Sequence, residues 1–129
     1  MKIIKSIPGA GYIESIREIL AEEDREHVGR EGRDAAQERA LEMALEVGVR
    51  TSSWHTPGSD SEDLPDEFMI LLGTGGPACR IVGELSKRGT PENARLELQD
   101  WGTPWTEHPN SREWSAELTE FARLFYWGE

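Results

Sequence analysis

Short connections between strand-like segments are the feature that most constrains the fold of this chain. Residues 68–72 form a continuous apolar run, and residues 79–85 alternate between apolar and polar side chains after the glycine-rich segment 73–77. Segment 86–93 then leads into a second alternating stretch within residues 94–107. A parallel neighbour requires a crossover of a dozen or more residues, so these connections predict an antiparallel meander.

The stretch 94–107 combines a strand with an aromatic turn. Leu96 and Leu98 alternate with polar residues, which is the period of a strand with one buried face. Trp101 and Trp105 flank the following turn, and each can bury roughly 200 Å² of surface. We expect them to anchor the turn, with Trp101 more buried than the acids around it. An exposed aromatic platform for a partner, formed with Trp54, remains the alternative.

Helical periodicity marks the first third of the chain. Ile13, Ile16 and Leu20 recur at i, i+3 and i+7, which predicts an amphipathic helix. A second apolar stripe runs through residues 36–47. Gly48 is placed to cap this second helix at its C-terminus. Two helices are therefore expected within residues 1–48.

The remaining segments complete the predicted fold. Residues 49–55 have the composition of an edge strand, and residues 56–67 that of a solvated loop. Asn110 and Glu113 have the spacing of a capping box at the start of a helix. The apolar face of that C-terminal helix should lie on the sheet and comprises Trp114, Leu118, Phe121, Ala122 and Phe125.

These patterns predict a single α+β domain over residues 1–129. Residues 1–48 supply two N-terminal helices, and residues 49–129 supply a four-stranded antiparallel meander with an amphipathic C-terminal helix packed on it. No run approaches the ~20 apolar residues that a membrane span requires. The apolar run at the N-terminus is too short for a signal peptide, and a single cysteine fits a reducing compartment. We therefore expect a soluble, cytoplasmic protein.

The charge balance indicates the class of partner. The chain has 25 acidic and 14 basic side chains, for a net charge of −11. The electrostatic field of such a net negative charge disfavours direct binding to nucleic acid or to anionic membranes. Two interpretations remain open: acidity that maintains solubility, or a negative surface offered to a basic partner. The candidate contact residues are Glu14, Glu18 and Glu22 in the first helix, Asp60, Glu62 and Asp63 in the loop, and Trp54 and Trp105.

No motif predicts a catalytic, cofactor-binding or metal site. The glycine-rich segment 73–77 precedes a strand instead of a helix, so the phosphate-loop interpretation fails. Cys79 occupies an inward strand position typical of an inert thiol. The histidines lack zinc-ligand spacing. A pocket around His55, Asp100 and Trp101, with His55 as general base, is the enzymatic alternative, although Asp100 is better suited to bonding turn amides.

Three segments serve as landmarks: ILLGTGGPACRIVGEL, LELQDWGTPWTE and FARLFYWGE. They resemble a family of short, uncharacterised proteins from bacterial phages and other mobile elements. The similarity covers about residues 49–129 and departs at Cys79, where an aliphatic residue is more usual, and at Trp127, where phenylalanine is. The resemblance transfers no catalytic residue.

The resemblance implies a mobile-element context, in which small acidic proteins often inhibit host nucleases, including CRISPR effectors. The leading hypothesis is therefore a non-enzymatic, anti-CRISPR-like inhibitor in the host cytoplasm, without a cofactor, that binds a host protein with a basic surface. The small enzyme described above is the second hypothesis, and an accessory structural protein is the third.

Overall fold

The computed structural model describes residues 10–26, 30–50, 54–55, 66–74, 78–86, 88–100 and 102–127, and gives the backbone alone for residues 10, 22–26, 30–34 and 54–55. Two helices come first, α1 (Ala10–Glu26) and α2 (Arg30–Met43). Six strands follow: β1 (Glu46–Arg50), β2 (Trp54–His55), β3 (Glu67–Gly73), β4 (Ala78–Glu84), β5 (Arg95–Gln99) and β6 (Thr106–Glu107). A 3₁₀ turn, Ser111–Trp114, leads into the helix α3 (Ser115–Ala122).

The α+β fold is confirmed, and its sheet is larger than predicted. All six strands form one antiparallel sheet in the order β2-β1-β3-β4-β5-β6. The prediction of a four-stranded meander was wrong at both margins: six strands pair, and β1 lies between β2 and β3, so only β3 to β6 follow one another in sequence order. Residues 49–55 contribute to two paired strands, β1 and β2, and β6 adds a two-residue strand beside β5. Strands β2 and β6 have only two residues each, which is too few to show an alternating pattern.

One face of the sheet, here called the inner face, contacts the helices. Phe68, Ile70, Ile81 and Leu96 lie on this face and are almost completely buried in one apolar cluster with side chains of α1, α2 and α3. The opposite, outer face presents the alternate residues of β3, β4 and β5, because successive side chains of a strand point to opposite faces. Met69 and Val82 are buried on the outer face but do not belong to the helical cluster.

The second helix ends earlier than its apolar stripe predicted. Its last residue is Met43, and β1 begins at Glu46. Gly48 is therefore a buried strand residue opposite Met69, not a helix cap. The apolar residues at 44 and 47 extended the helical period, but the main chain turns into the sheet, where the N–H of Leu45 donates to the carbonyl of Leu71.

The C-terminal helix is shorter than predicted, because Trp114 belongs to the 3₁₀ turn and Phe125 lies past the end of α3 at Ala122. The five apolar side chains of the predicted helical face are all buried. The capping box does not form, because the Asn110 side chain makes no cap bond and instead donates to the carboxylate of Glu113 at 3.4 Å. Past α3, the indole of Trp127 packs 5.0 Å from the ring of Phe68 and donates to the carbonyl of Ala122 at 2.8 Å. The chain is thus docked on the core as far as residue 127.

Candidate functional site

A cavity of about 390 Å³ lies on the outer face, at the end of the sheet where β3 leads toward β4. Ala78 pairs with Gln99 in the register of β4 and β5. This pairing places the end of β5 beside the start of β4, so two of the sequence landmarks meet at one site. The lining residues are Leu71, Thr74, Ala78, Gln99, Asp100, Gly102 and Trp105.

Trp105 is half-buried and forms one wall of this cavity. The guanidinium carbon of Arg80 lies 4.1 Å from the centroid of the indole, which is a cation–π contact. Glu97 accepts from Nε of Arg80 at 2.9 Å, and its other carboxylate oxygen accepts from Nε of Arg95 at 3.1 Å. The side chains of Arg80 and Glu97 are only 16% and 12% exposed. The indole is therefore held by a largely buried ionic network.

Asp100 contributes to the turn through its main chain. Its carbonyl accepts from both the N–H and the hydroxyl of Thr103, and its own N–H donates to that hydroxyl at 3.1 Å. The predicted bond from the Asp100 carboxylate to turn amides is not present among the described residues. Within that part of the chain the carboxylate is exposed and unpaired, and it borders the cavity. The positive φ of Gly102, 71°, completes the turn.

A second cavity, also of about 390 Å³, lies at the opposite end of the sheet, where β3 begins and β4 ends. Its lining is acidic and comprises Asp66, Glu67, Glu84, Leu85 and Glu92. Arg50 binds Glu67 through Nε at 2.7 Å, and the amide of Asn93 donates to Glu84 at 3.2 Å. The outer face thus carries carboxylates at both ends.

The structure describes the side chains of two of the three predicted contact residues of α1. Glu14 and Glu18 are exposed and one helical turn apart, so they share one face of α1. Glu18 lies 4.0 Å from Arg39 of α2. Glu22 belongs to α1, but its side chain lies outside the described atoms. Asp60, Glu62 and Asp63 also lie outside the described residues, as does the side chain of Trp54.

The structure does not bring together His55 and Asp100, two of the three residues of the enzymatic alternative. His55 lies in β2 at one margin of the sheet, and Asp100 follows β5 near the other. Strands β1, β3 and β4 separate their backbones, a distance of roughly 19 Å across the sheet at ordinary strand spacing. A general base and its orienting carboxylate must lie within hydrogen-bond reach. Trp101, the third member and the subject of the burial prediction, lies outside the described residues.

His108 is the one buried histidine among the described residues. It is 2% exposed, and its ring lies 4.8 Å from that of Trp114. Nδ1 accepts from the N–H of Asn110 at 3.0 Å, whereas Nε2 has no partner in the described part of the chain. Burial lowers the pKa of His108 below its ordinary value. A neutral imidazole that shapes the corner before the 3₁₀ turn accounts for these contacts.

The thiol of Cys79 is buried on the inner face. Desolvation raises its pKa to about 12. A thiol with this pKa is almost entirely protonated at neutral pH, so it is a poor nucleophile. The predicted inert role agrees with this environment.

No group of three or more histidine, cysteine, aspartate or glutamate side chains in the described part of the chain is arranged to hold a metal ion. No helix within the described ranges is long and apolar enough to cross a membrane.

The sequence interpretation missed the cavity residues Leu71 and Gln99 and the network of Arg80 with Glu97. The signal was present, since a meander places the end of β3, the start of β4 and the end of β5 at the same edge. Each of the two landmark segments, taken alone, indicates only a turn.

Comparison of the chain with protein families, with curated proteins and with solved structures finds no match. The geometry and charge of the described residues therefore carry the functional argument.

Proposed function

We propose that this chain is a binding protein that inhibits a host-defence nuclease complex, in the manner of an anti-CRISPR protein. Its acidic surface occupies a basic, nucleic-acid-binding surface of the complex. The proposal assigns the chain no reaction of its own. It rests on the charge arrangement of the described residues, together with the mobile-element resemblance of the landmark segments.

The carrying observation is the excess of exposed carboxylates over exposed arginines among the described residues. Arg17, Arg39, Arg50, Arg80 and Arg95 each pair with a glutamate. The exposed acids occur on all three helices and at both ends of the sheet: Glu14, Glu18, Glu38, Glu42, Glu46, Asp66, Glu84, Glu92, Asp100, Glu107, Glu113 and Glu120. The excess negative charge of the described residues therefore lies at the solvent-exposed surface.

This distribution suits a partner whose own surface is adapted to phosphates. Complementary charge steers encounter and raises the association rate, and it rejects partners of like charge. A basic channel that binds a nucleic-acid backbone offers many cations along one path. A folded acidic surface can occupy that path and exclude the nucleic acid.

The test is inhibition of a purified CRISPR effector, loaded with guide RNA and presented with labelled target DNA. Two triple variants provide matched controls: lysine at Glu14, Glu18 and Glu22, and lysine at Asp60, Glu62 and Asp63. Because each variant replaces three carboxylates with three ammonium groups, a nonspecific charge effect would weaken inhibition equally in both. A specific contact surface predicts at least a tenfold larger loss in one of them.

The readout is the concentration of the chain that halves DNA binding by the effector. Circular dichroism and a denaturation midpoint establish that each variant is folded. The proposal requires that the wild-type chain and target DNA compete for the effector. Inhibition that is absent across effectors of different types, or equally reduced in both triple variants, would overturn it.

A further inference from the structure

We propose that the cavity beside Trp105 binds an arginine side chain of the partner protein. This inference rests on the proposed function for the existence of a basic partner, and it adds one further contact at an outer-face site of which the sequence patterns indicated only Trp105. Three properties of the site carry it: the size of the cavity, its mixed lining and the neutralised network behind the indole.

The size is sufficient for a single side chain. Ligand pockets in proteins span roughly 300 to 1,000 Å³, and this cavity, at about 390 Å³, lies at the lower end. It accommodates a long side chain with some of its water.

The lining matches an apolar stem with a charged head. Leu71, Ala78 and Trp105 offer apolar surface, along which the methylene groups of an arginine can pack. Asp100 and Gln99 border the same cavity with a carboxylate and an amide. A guanidinium presents its donors in a planar fork, which can engage a carboxylate and a neighbouring amide oxygen together.

The Asp100 carboxylate is available for this contact. Its main-chain groups bond Thr103, whereas the carboxylate pairs with none of the described residues. A cation that reaches it meets no intramolecular competitor in that part of the chain. The net charge of −11 further favours a cationic ligand over a neutral or anionic one.

The Arg80 network makes the indole a fixed wall. Arg80 already stacks on Trp105 at 4.1 Å, so the indole is oriented before a ligand arrives. Glu97 pairs with the Arg80 guanidinium at 2.8 Å, which reduces its repulsion of a second cation. Because the indole is already ordered, the protein loses little side-chain entropy there when a ligand binds.

The test uses a defined probe instead of the unidentified partner. The peptide acetyl-Gly-Arg-Gly-amide is titrated into ¹⁵N-labelled full-length chain, and the indole N–H of Trp105 and the amides of Gln99 and Asp100 are followed by NMR. The matched control peptide contains citrulline, which preserves the shape of arginine but lacks its charge. The inference predicts saturable shifts with the arginine peptide and at least fivefold weaker binding of the citrulline peptide.

Three substitutions test the location of the site. Asp100→Asn preserves the turn main chain and should weaken the arginine peptide about fivefold, the upper range for a partly exposed ion pair. Glu120→Gln removes the same charge from an exposed position on α3 and should leave the affinity within twofold. Trp105→Leu should also weaken binding, and its spectrum reports whether the fold is intact.

The outcomes separate this inference from the proposed function. If a charge-dependent effector contact is found and the arginine peptide shifts no cavity resonance, the cavity assignment is overturned while the proposed function stands. If the peptide binds at the cavity and no effector is inhibited, the arginine site stands and the proposed function fails. Equal binding of the arginine and citrulline peptides, or equal effects of Asp100→Asn and Glu120→Gln, would also overturn the assignment.

Discussion

The guanidinium of Arg80 lies over the indole of Trp105 at 4.1 Å and is bound at the same time by the carboxylate of Glu97. The strand register produces this arrangement, because Arg80 of β4 stands directly opposite Glu97 of β5. An ion pair that faces little water thus supports the wall of the outer-face cavity. Loss of either partner should affect both the stability of the sheet and the shape of that cavity.

Glu97→Gln is the first test of this network. The substitution removes the charge of the Glu97 carboxylate from a largely buried ion pair, and breaking a buried pair in this way costs roughly 3 kcal/mol. We expect a corresponding fall in the free energy of unfolding, measured by urea denaturation with an unchanged m-value. The double variant Glu97→Gln, Arg80→Met should recover part of the loss, because it removes both charges of the buried pair together.

The pair of Arg17 with Glu117 is the matched control. Its two side chains are 49% and 31% exposed, and exposed pairs contribute little to stability because water screens them. Arg17→Met should therefore shift the urea midpoint much less than Glu97→Gln does. Equal shifts would contradict the claim that burial makes the Arg80 pair important.

Gly83 is the second point at which stability can be tested. A Cβ at this position would collide with the carbonyl oxygen of Asn93 and lie 2.7 Å from the ring of Phe68. Gly83→Ala should destabilise the protein by about 3 kcal/mol, the cost of severe overpacking. Gly11→Ala is the control, since that position in α1 is open and alanine there should be neutral or slightly stabilising. Similar melting temperatures for the two variants would refute the steric explanation.

The burial of His108 predicts a pH dependence of stability. Its folded-state pKa is lowered, whereas the unfolded chain takes up the proton near pH 6.5. The stability that depends on neutral His108 is therefore fully present above about pH 6.5 and is lost as the pH falls toward the lowered pKa. The free energy of unfolding of His108→Gln should decrease less between pH 7.5 and 5.5 than that of the wild type. Parallel curves would show that His108 does not contribute.

Cys79 should react only after unfolding. Its buried thiol has a pKa of about 12, so neither access nor ionisation favours attack on a disulfide reagent. We expect less than a tenth of the thiol to react with Ellman's reagent at pH 8 within minutes, and complete reaction in 6 M guanidinium chloride. Rapid reaction of the native protein would mean that the inner face opens readily.

The sequence predicted the parts of the fold that local pattern determines. The apolar period located the central strands β3, β4 and β5 and the buried face from Trp114 to Phe125, because both are long enough to show their period. The end of α2 was not predictable from the same rule. The apolar residues from Ala44 to Val47 fit a helix and a strand equally well, and pairing with β3 selects the strand.

The cavity required tertiary information. It forms where Leu71, Gln99 and Trp105 from three separate segments converge, and no local spacing records that convergence. The same holds for the network of Arg80 and Glu97, which depends on the register between two strands. The spacing of Trp101 and Trp105 around Gly102 and Pro104 predicts a turn, but it does not indicate which residues that turn faces.

The central claim is that exposed carboxylates mediate binding to a basic surface, and the most direct measurement is the salt dependence of association. The association rate of the wild-type chain with an inhibited effector should fall at least tenfold between 50 and 500 mM NaCl, while the dissociation rate changes much less. The triple lysine variant of the contact surface should show a lower rate at 50 mM and a flatter dependence on salt. An association rate that is independent of salt, or identical in the wild type and that variant, would contradict the account.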